Sequence, residues 1–139
     1  MRIGELARAV GTTPRTVRYY EEIGLLAEAS ERAAGSHREY SEEDVARLRE
    51  LLRLKQMLGL SLDELRVVMH GEDERAKRRR EYHETSDPAE RRRLLLAAKA
   101  HTDGLLEIVG RRKQELESFE AELEERRRRQ ADLLGELVA

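Results

Sequence analysis

Arg15, Thr16, Arg18 and Tyr19 fall within five consecutive positions. Guanidinium and hydroxyl groups of this kind hydrogen-bond to phosphate oxygens and to the polar atoms of base edges. Val17 and Tyr20 are spaced to form the opposite, buried side of the same helix. The chemistry this implies is recognition rather than catalysis. Residues 1–70 contain no nucleophile–base pair, Gly-rich phosphate loop or carboxylate dyad, so no enzyme is expected. The chain has no cysteine, which excludes disulfides, thiolate metal sites and iron–sulfur clusters. His83, His101 and Asp103 are scattered near helix ends and read as surface groups, so neither metal nor cofactor is expected.

These side chains must be held by a short helix pair. Ile3, Leu6, Ala7 and Val10 form the apolar stripe of a first helix, and Gly11 can take the left-handed conformation that ends it. Thr13 is placed to cap a second helix, with Pro14 at its first position, where a missing N–H costs nothing. Gly24 stops that helix, and Leu25 and Leu26 turn back to the core. Ala7, Gly11 and Val17 meet the steric demands of a tight interhelical corner.

Residues 27–40 lack a helical stripe and hold Gly35-Ser36, which suggests a turn or a small hairpin. Ser41 with Asp44 reads as a capping box opening a third helix, lined by Val45, Leu48, Leu51, Leu52 and Leu58 and closed by Gly59. Ser61 with Glu64 opens a fourth, with Leu62, Leu65 and Met69 inward and Gly71 as its expected end. The expected domains are a head over 1–70, a charged linker or short helix over 71–87, and a helical dimerisation region over 88–139.

In that last region a 3-4 alternation runs from Leu95 to Leu137, and nine of its 13 positions are apolar. This is a coiled-coil seam, with Leu105, Val109, Leu116, Phe119, Leu123, Leu133 and Leu137 expected between two copies. Thr102-Asp103-Gly104 is the expected interruption, so both one long helix and a hairpin turning near 101–104 are consistent with the pattern. The fold class is mostly α: a helix-turn-helix head followed by a long coiled-coil dimerisation helix, the head being winged by the resemblance given below.

Whole-chain composition agrees. Charged residues make up 40% and aromatics 4%, in a chain of 139 residues with net charge −2. Residues 1–40 hold six Arg and six Glu, so a DNA-binding face must arise by segregating charge in space. The basic clusters at 91–93, 111–113 and 126–129 read as solvated helix faces. The longest apolar run, 94–98, is far short of the roughly 20 residues of a membrane helix. The N-terminus lacks a secretory signal, and a cytoplasmic location is expected.

Arg18-Tyr19-Tyr20-Glu21, Gly24-Leu25-Leu26, Arg38-Glu39-Tyr40-Ser41 and the run Leu58 to Leu65 occur in order. Together they resemble the MerR family of bacterial transcription regulators over about residues 1–70. The resemblance implies that Thr13, Arg15, Thr16, Arg18, Tyr19 and Tyr20 contact double-stranded DNA from the second helix. It also implies that His37, Arg38 and Tyr40 contact it from a wing. It implies an antiparallel homodimer on a palindromic promoter operator, distortion of the promoter spacer, and RNA polymerase as partner. The sequence departs from the family pattern at Gly35-Ser36-His37-Arg38, which has an extra residue and His37 in place of tyrosine. Ala27 stands where a proline is common, and Gln56 where a basic residue is frequent. No sensor is visible, and any small organic effector is unidentified. An excision or architectural DNA-bending protein with the same head, and a coiled-coil interaction scaffold, are the alternative readings.

Overall fold

The computed structural model describes residues 1–26 and 39–138. It has five helices: α1 (Ile3–Val10), α2 (Pro14–Glu22), α3 (Glu42–Leu58), α4 (Leu62–Glu84) and α5 (Pro88–Val138). No strand occurs among the described residues. The hairpin expected within 27–40, with His37 and Arg38, lies almost wholly outside them. The chain divides into two compact units, Met1–Lys77 and Arg78–Ala139.

In the first unit the helix ends follow local chemistry. Gly11 sits at φ +77° after α1, a conformation that costs an L-residue with a Cβ about 1–2 kcal/mol. The Thr13 hydroxyl accepts the Thr16 N–H at 3.2 Å, and Pro14 begins α2. The Ser41 hydroxyl accepts the Asp44 N–H at 3.2 Å, while the Asp44 carboxylate accepts the Ser41 N–H at 2.8 Å. Ser61 and Glu64 repeat that reciprocal pair at the start of α4. Leu6, Val17, Tyr20, Leu48, Leu51 and Leu65 are fully buried and join α1 to α4 in one core. Leu54 is also buried, whereas Leu52 is only half-buried.

Polar side chains then tie the helices together. Arg49 donates to the Ala9 carbonyl at 3.1 Å, at the C-terminal end of α1. Arg47 donates through Nε to the Leu25 carbonyl at 2.8 Å and grips both oxygens of Asp73 with its two terminal nitrogens. This one side chain on α3 therefore fastens the segment after α2 and the body of α4.

The expected end of α4 at Gly71 is corrected: the helix passes through Gly71 to Glu84. An interior glycine costs only about 1 kcal/mol, and the Glu-, Arg- and Lys-rich residues around it favour helix. The chain breaks instead at Thr85-Ser86-Asp87, because the residue before Pro88 is driven out of the helical region. Of the two expectations for residues 88–137, the single helix is the one adopted. α5 has 51 residues and is about 76 Å long at 1.5 Å per residue.

In the second unit, Asp87 accepts the Ala89 N–H at 3.2 Å. Arg91 lies 4.9 Å from the Tyr82 ring centre and donates to the Thr85 carbonyl at 2.8 Å, which fixes the corner. Farther along α5, Leu116, Phe119, Leu123, Leu133 and Leu137 are exposed in the single chain, Phe119 by 52%.

Two glycine substitutions should have opposite signs. A Cβ at Gly11 or at Gly104 meets no atom within 4 Å, so backbone conformation alone decides. Gly11→Ala should destabilise the head by about 1–2 kcal/mol. Gly104→Ala, inside α5, should stabilise by about 1 kcal/mol. Thermal melts followed by circular dichroism check both, and a shift of the same sign for the two would refute the account.

Candidate nucleic-acid interface

Helix α2 is sharply two-sided. Its inner side buries Val17, Tyr20 and Glu21, and its outer side exposes Arg15, Arg18, Tyr19 and Glu22, with Thr16 half-buried. Successive residues turn by 100°, so positions 15, 18, 19 and 22 fall on one face. That face carries two guanidinium groups, a phenol and a single carboxylate. Among the described residues neither Arg15 nor Arg18 has a carboxylate within ion-pair distance, although Glu21 and Glu22 are near in sequence. Glu21 points away: it is 4% exposed and accepts a short hydrogen bond from the Tyr40 hydroxyl.

Those two guanidinium groups therefore keep their donors for an outside acceptor. Tyr19 is 46% exposed and leans on Tyr20, with ring centres 5.8 Å apart. The Thr16 hydroxyl lies 3.0 Å from that of Thr13, so both are engaged at the helix start.

Two of the residues expected at DNA are buried in the head. Tyr20 is 1% exposed, and its hydroxyl accepts from Lys55 Nζ at 3.1 Å. Tyr40 is 4% exposed and is held by Glu21, while its backbone N–H donates to the Met1 carbonyl at 2.8 Å. Both phenols are packed in the core. Their contacts tie α2 to Lys55 of α3 and to Tyr40 just before α3.

Sequence reasoning passed over Lys55. It lies one residue before Gln56, the position singled out as lacking a basic side chain, and it brings an exposed cation to the foot of α2. Its one available signal was position in the last turn of α3, where a cation also favours the helix dipole. Ion pairs that shift titration lie on other helices. The Arg53 hydrogen bond, reinforced by its charge, holds the Glu50 carboxyl below its ordinary range on α3. The Arg93 hydrogen bond does the same to Glu90 on α5. Both pairs are exposed and join neighbouring turns of one helix, so they contribute little to stability. Among the described residues no cluster of His, Cys, Asp or Glu is arranged to hold a metal ion. Among the described residues no helix is long and apolar enough to cross a membrane.

Known proteins share this arrangement of residues. A family model described as MerR HTH family regulatory protein matches residues 1–72. The chain is similar to the HTH-type transcriptional regulator YfmP of Bacillus subtilis, 33% identical over 124 residues that cover 89% of this chain and 88% of that protein. It is 53% identical over 70 residues to the nodulation protein NolA of Bradyrhizobium elkanii, covering 50% of this chain and 31% of that protein. The HTH-type transcriptional activator TipA of Streptomyces coelicolor is 39% identical over 82 residues, covering 58% of this chain and 32% of that protein. The chain thus spans about a third of the length of the last two and most of the first. The two-sided recognition helix, its capped and glycine-bounded neighbours and these matches lead to one conclusion: the chain belongs to the MerR family of helix-turn-helix, DNA-binding transcription regulators.

Proposed function

We propose that the protein binds a palindromic promoter operator as a homodimer and distorts the spacer DNA between the polymerase recognition elements. The observation that carries this reading is the Arg15–Arg18 face of α2, without a carboxylate partner among the described residues and mounted on a buried inner side. Arg15, Thr16 and Arg18 face base edges and nearby phosphates in the major groove, and Tyr19 lies against the sugar–phosphate backbone. Thr13 closes the helix start beside the same strand. His37 and Arg38, outside the described residues, reach flanking phosphates.

Two heads are required because one short helix reads only a few base pairs. Joining two heads turns the second half-site contact into an intramolecular event, which raises affinity by about 10²–10⁴. The seam of half-buried Leu105 and exposed Val109, Leu116, Phe119, Leu123, Leu133 and Leu137 supports that joining. Two-fold symmetric heads read a palindrome. Bending and untwisting the spacer costs about 1–6 kcal/mol by elastic estimates, offset by contacts from both heads. RNA polymerase then meets both promoter elements on one face of the duplex. With no thiol in the chain, control falls to a small organic effector, a partner or protein abundance.

Arg18→Ala should weaken specific binding by about 1–3 kcal/mol if the guanidinium reads a base edge, with relaxed preference at that position. A nearly uniform loss on all DNA sequences would make Arg18 a phosphate contact, and unchanged binding would remove it from the interface. In circularly permuted operator fragments, complex mobility should vary with the position of the site. Uniform mobility, with and without a candidate effector, would overturn the distortion mechanism and leave DNA binding intact.

A further inference from the structure

The main chain just after α2 is tied on both of its polar sides. Its N–H groups close the recognition helix: Leu25 and Leu26 both donate to the Tyr20 carbonyl, at 2.9 and 3.2 Å. That carbonyl belongs to the last turn of α2, where a helix leaves its own acceptors without partners. Gly24, at φ +81°, makes the turn that brings those two N–H groups back. The carbonyl of Leu25 faces the other way and accepts from Arg47 Nε at 2.8 Å.

Leu25 does not place Arg47 by itself. The two terminal nitrogens of Arg47 hold the two carboxylate oxygens of Asp73 in a fork, one of them at 3.2 Å. A guanidinium is planar and rigid, so a carboxylate that grips both terminal nitrogens also fixes the direction of the Nε–H. Without that grip the long arginine stem has many rotamers of similar energy, and only some of them reach Leu25. The hydrogen bonds therefore run without a gap from α4 to the recognition helix: Asp73, Arg47, the Leu25 peptide, the Tyr20 carbonyl.

Folding makes little use of the outer link in that chain. The Asp73 side chain is 51% exposed and that of Arg47 30%, and pairs so open to water contribute little to stability. Asp73 stands one turn beyond Met69, the last buried residue of α4, and so lies outside the apolar core of the head. Val17, Tyr20 and Glu21 hold the inner side of α2, and the Leu25 peptide holds its end. What Asp73 supplies is direction for that end.

The sign of its charge separates this role from a direct one. DNA is a polyanion, and an exposed carboxylate on its ligand repels phosphates. As a mere charge, Asp73 opposes binding to every duplex, and its removal tightens all complexes alike. As the residue that aligns Arg47, it favours the duplex that α2 reads, and its removal weakens that complex alone.

We infer that Asp73 is a positioning residue for DNA recognition: it aligns Arg47 on the Leu25 carbonyl, and so sets the angle at which Arg15 and Arg18 meet the duplex. The inference rests on the reading of the outer face of α2 as the DNA-contacting surface. Its test uses the full-length protein and two probes, a duplex selected by the wild-type protein from a random library and a scrambled duplex of the same length and composition. Asp73→Asn keeps the size of the side chain and removes its charge. This variant should bind the selected duplex about tenfold more weakly. It should bind the scrambled duplex as well as the wild type does, or slightly better. Arg47→Gln should lose the same preference between the two probes. The double variant should lose no more than Arg47→Gln alone, because both changes break one chain of contacts. Thermal melts of Asp73→Asn should stay close to those of the wild type.

Tighter binding of Asp73→Asn to both probes alike would leave Asp73 a repelling charge only and overturn the inference. An unchanged preference, whether or not the melt falls, would make the pair structural only and overturn it equally. Losses that multiply in the double variant would show two residues acting separately, with the same consequence. A wild-type protein that selects no preferred duplex would overturn the operator reading itself, and the inference with it.

Discussion

A single buried acid governs the geometry of the head. Glu21 is the one charged side chain in the core among the described residues, and it takes the Tyr40 hydroxyl across a span of 19 positions. A polar group removed from water must be hydrogen-bonded, so this contact admits few alternative placements of either residue. It fixes the rotation of α2 about its own axis and holds Tyr40 against it. Lys55 on Tyr20 and Arg47 on Leu25 and Asp73 lock the same helix from below and behind. With the inner side so tightly determined, the outer side has no freedom left. Arg15, Arg18 and Tyr19 point where they do because Val17, Tyr20 and Glu21 cannot move.

A different constraint rules the rest of the chain. α5 exposes a long apolar seam that no residue of its own second half covers. A lone helix of that kind leaves its leucines in water, and pairing with another helix removes them at modest entropic cost because the helix is already formed. The head and the long helix thus solve separate problems. One rigidifies a small polar surface, and the other carries a long apolar seam. Identity is above 50% over the 70 residues shared with NolA and 33% over the 124 shared with YfmP.

The amino-acid sequence alone determined the local grammar of the fold. Gly11 and Gly59 are glycines because the chain turns left-handed there. Thr13-Pro14, Ser41 with Asp44 and Ser61 with Glu64 open helices by satisfying backbone donors that the helix itself leaves unpaired. These are short-range effects, complete within four residues, and so are legible without the fold. The two-sidedness of α2 is legible for the same reason, since a 3.6-residue period sorts Val17 from Arg15 and Arg18.

The tertiary structure decided what local chemistry leaves degenerate. A tyrosine suits either a phosphate or a core, and only the packing of α3 and of Tyr40 against α2 assigned Tyr20 and Tyr40 to the interior. Gly71 and Gly104 each look like a helix end, yet both lie inside helices. Their cost of about 1 kcal/mol is outweighed by the helix-favouring residues on either side. Lys55 carried no mark of its place beside α2, because that nearness spans 35 positions of chain. The same holds for the Arg47 clamp, which joins residues 22 and 26 positions away. Contacts at such separations leave no periodic trace in the sequence, and they are the ones that hold the recognition helix still.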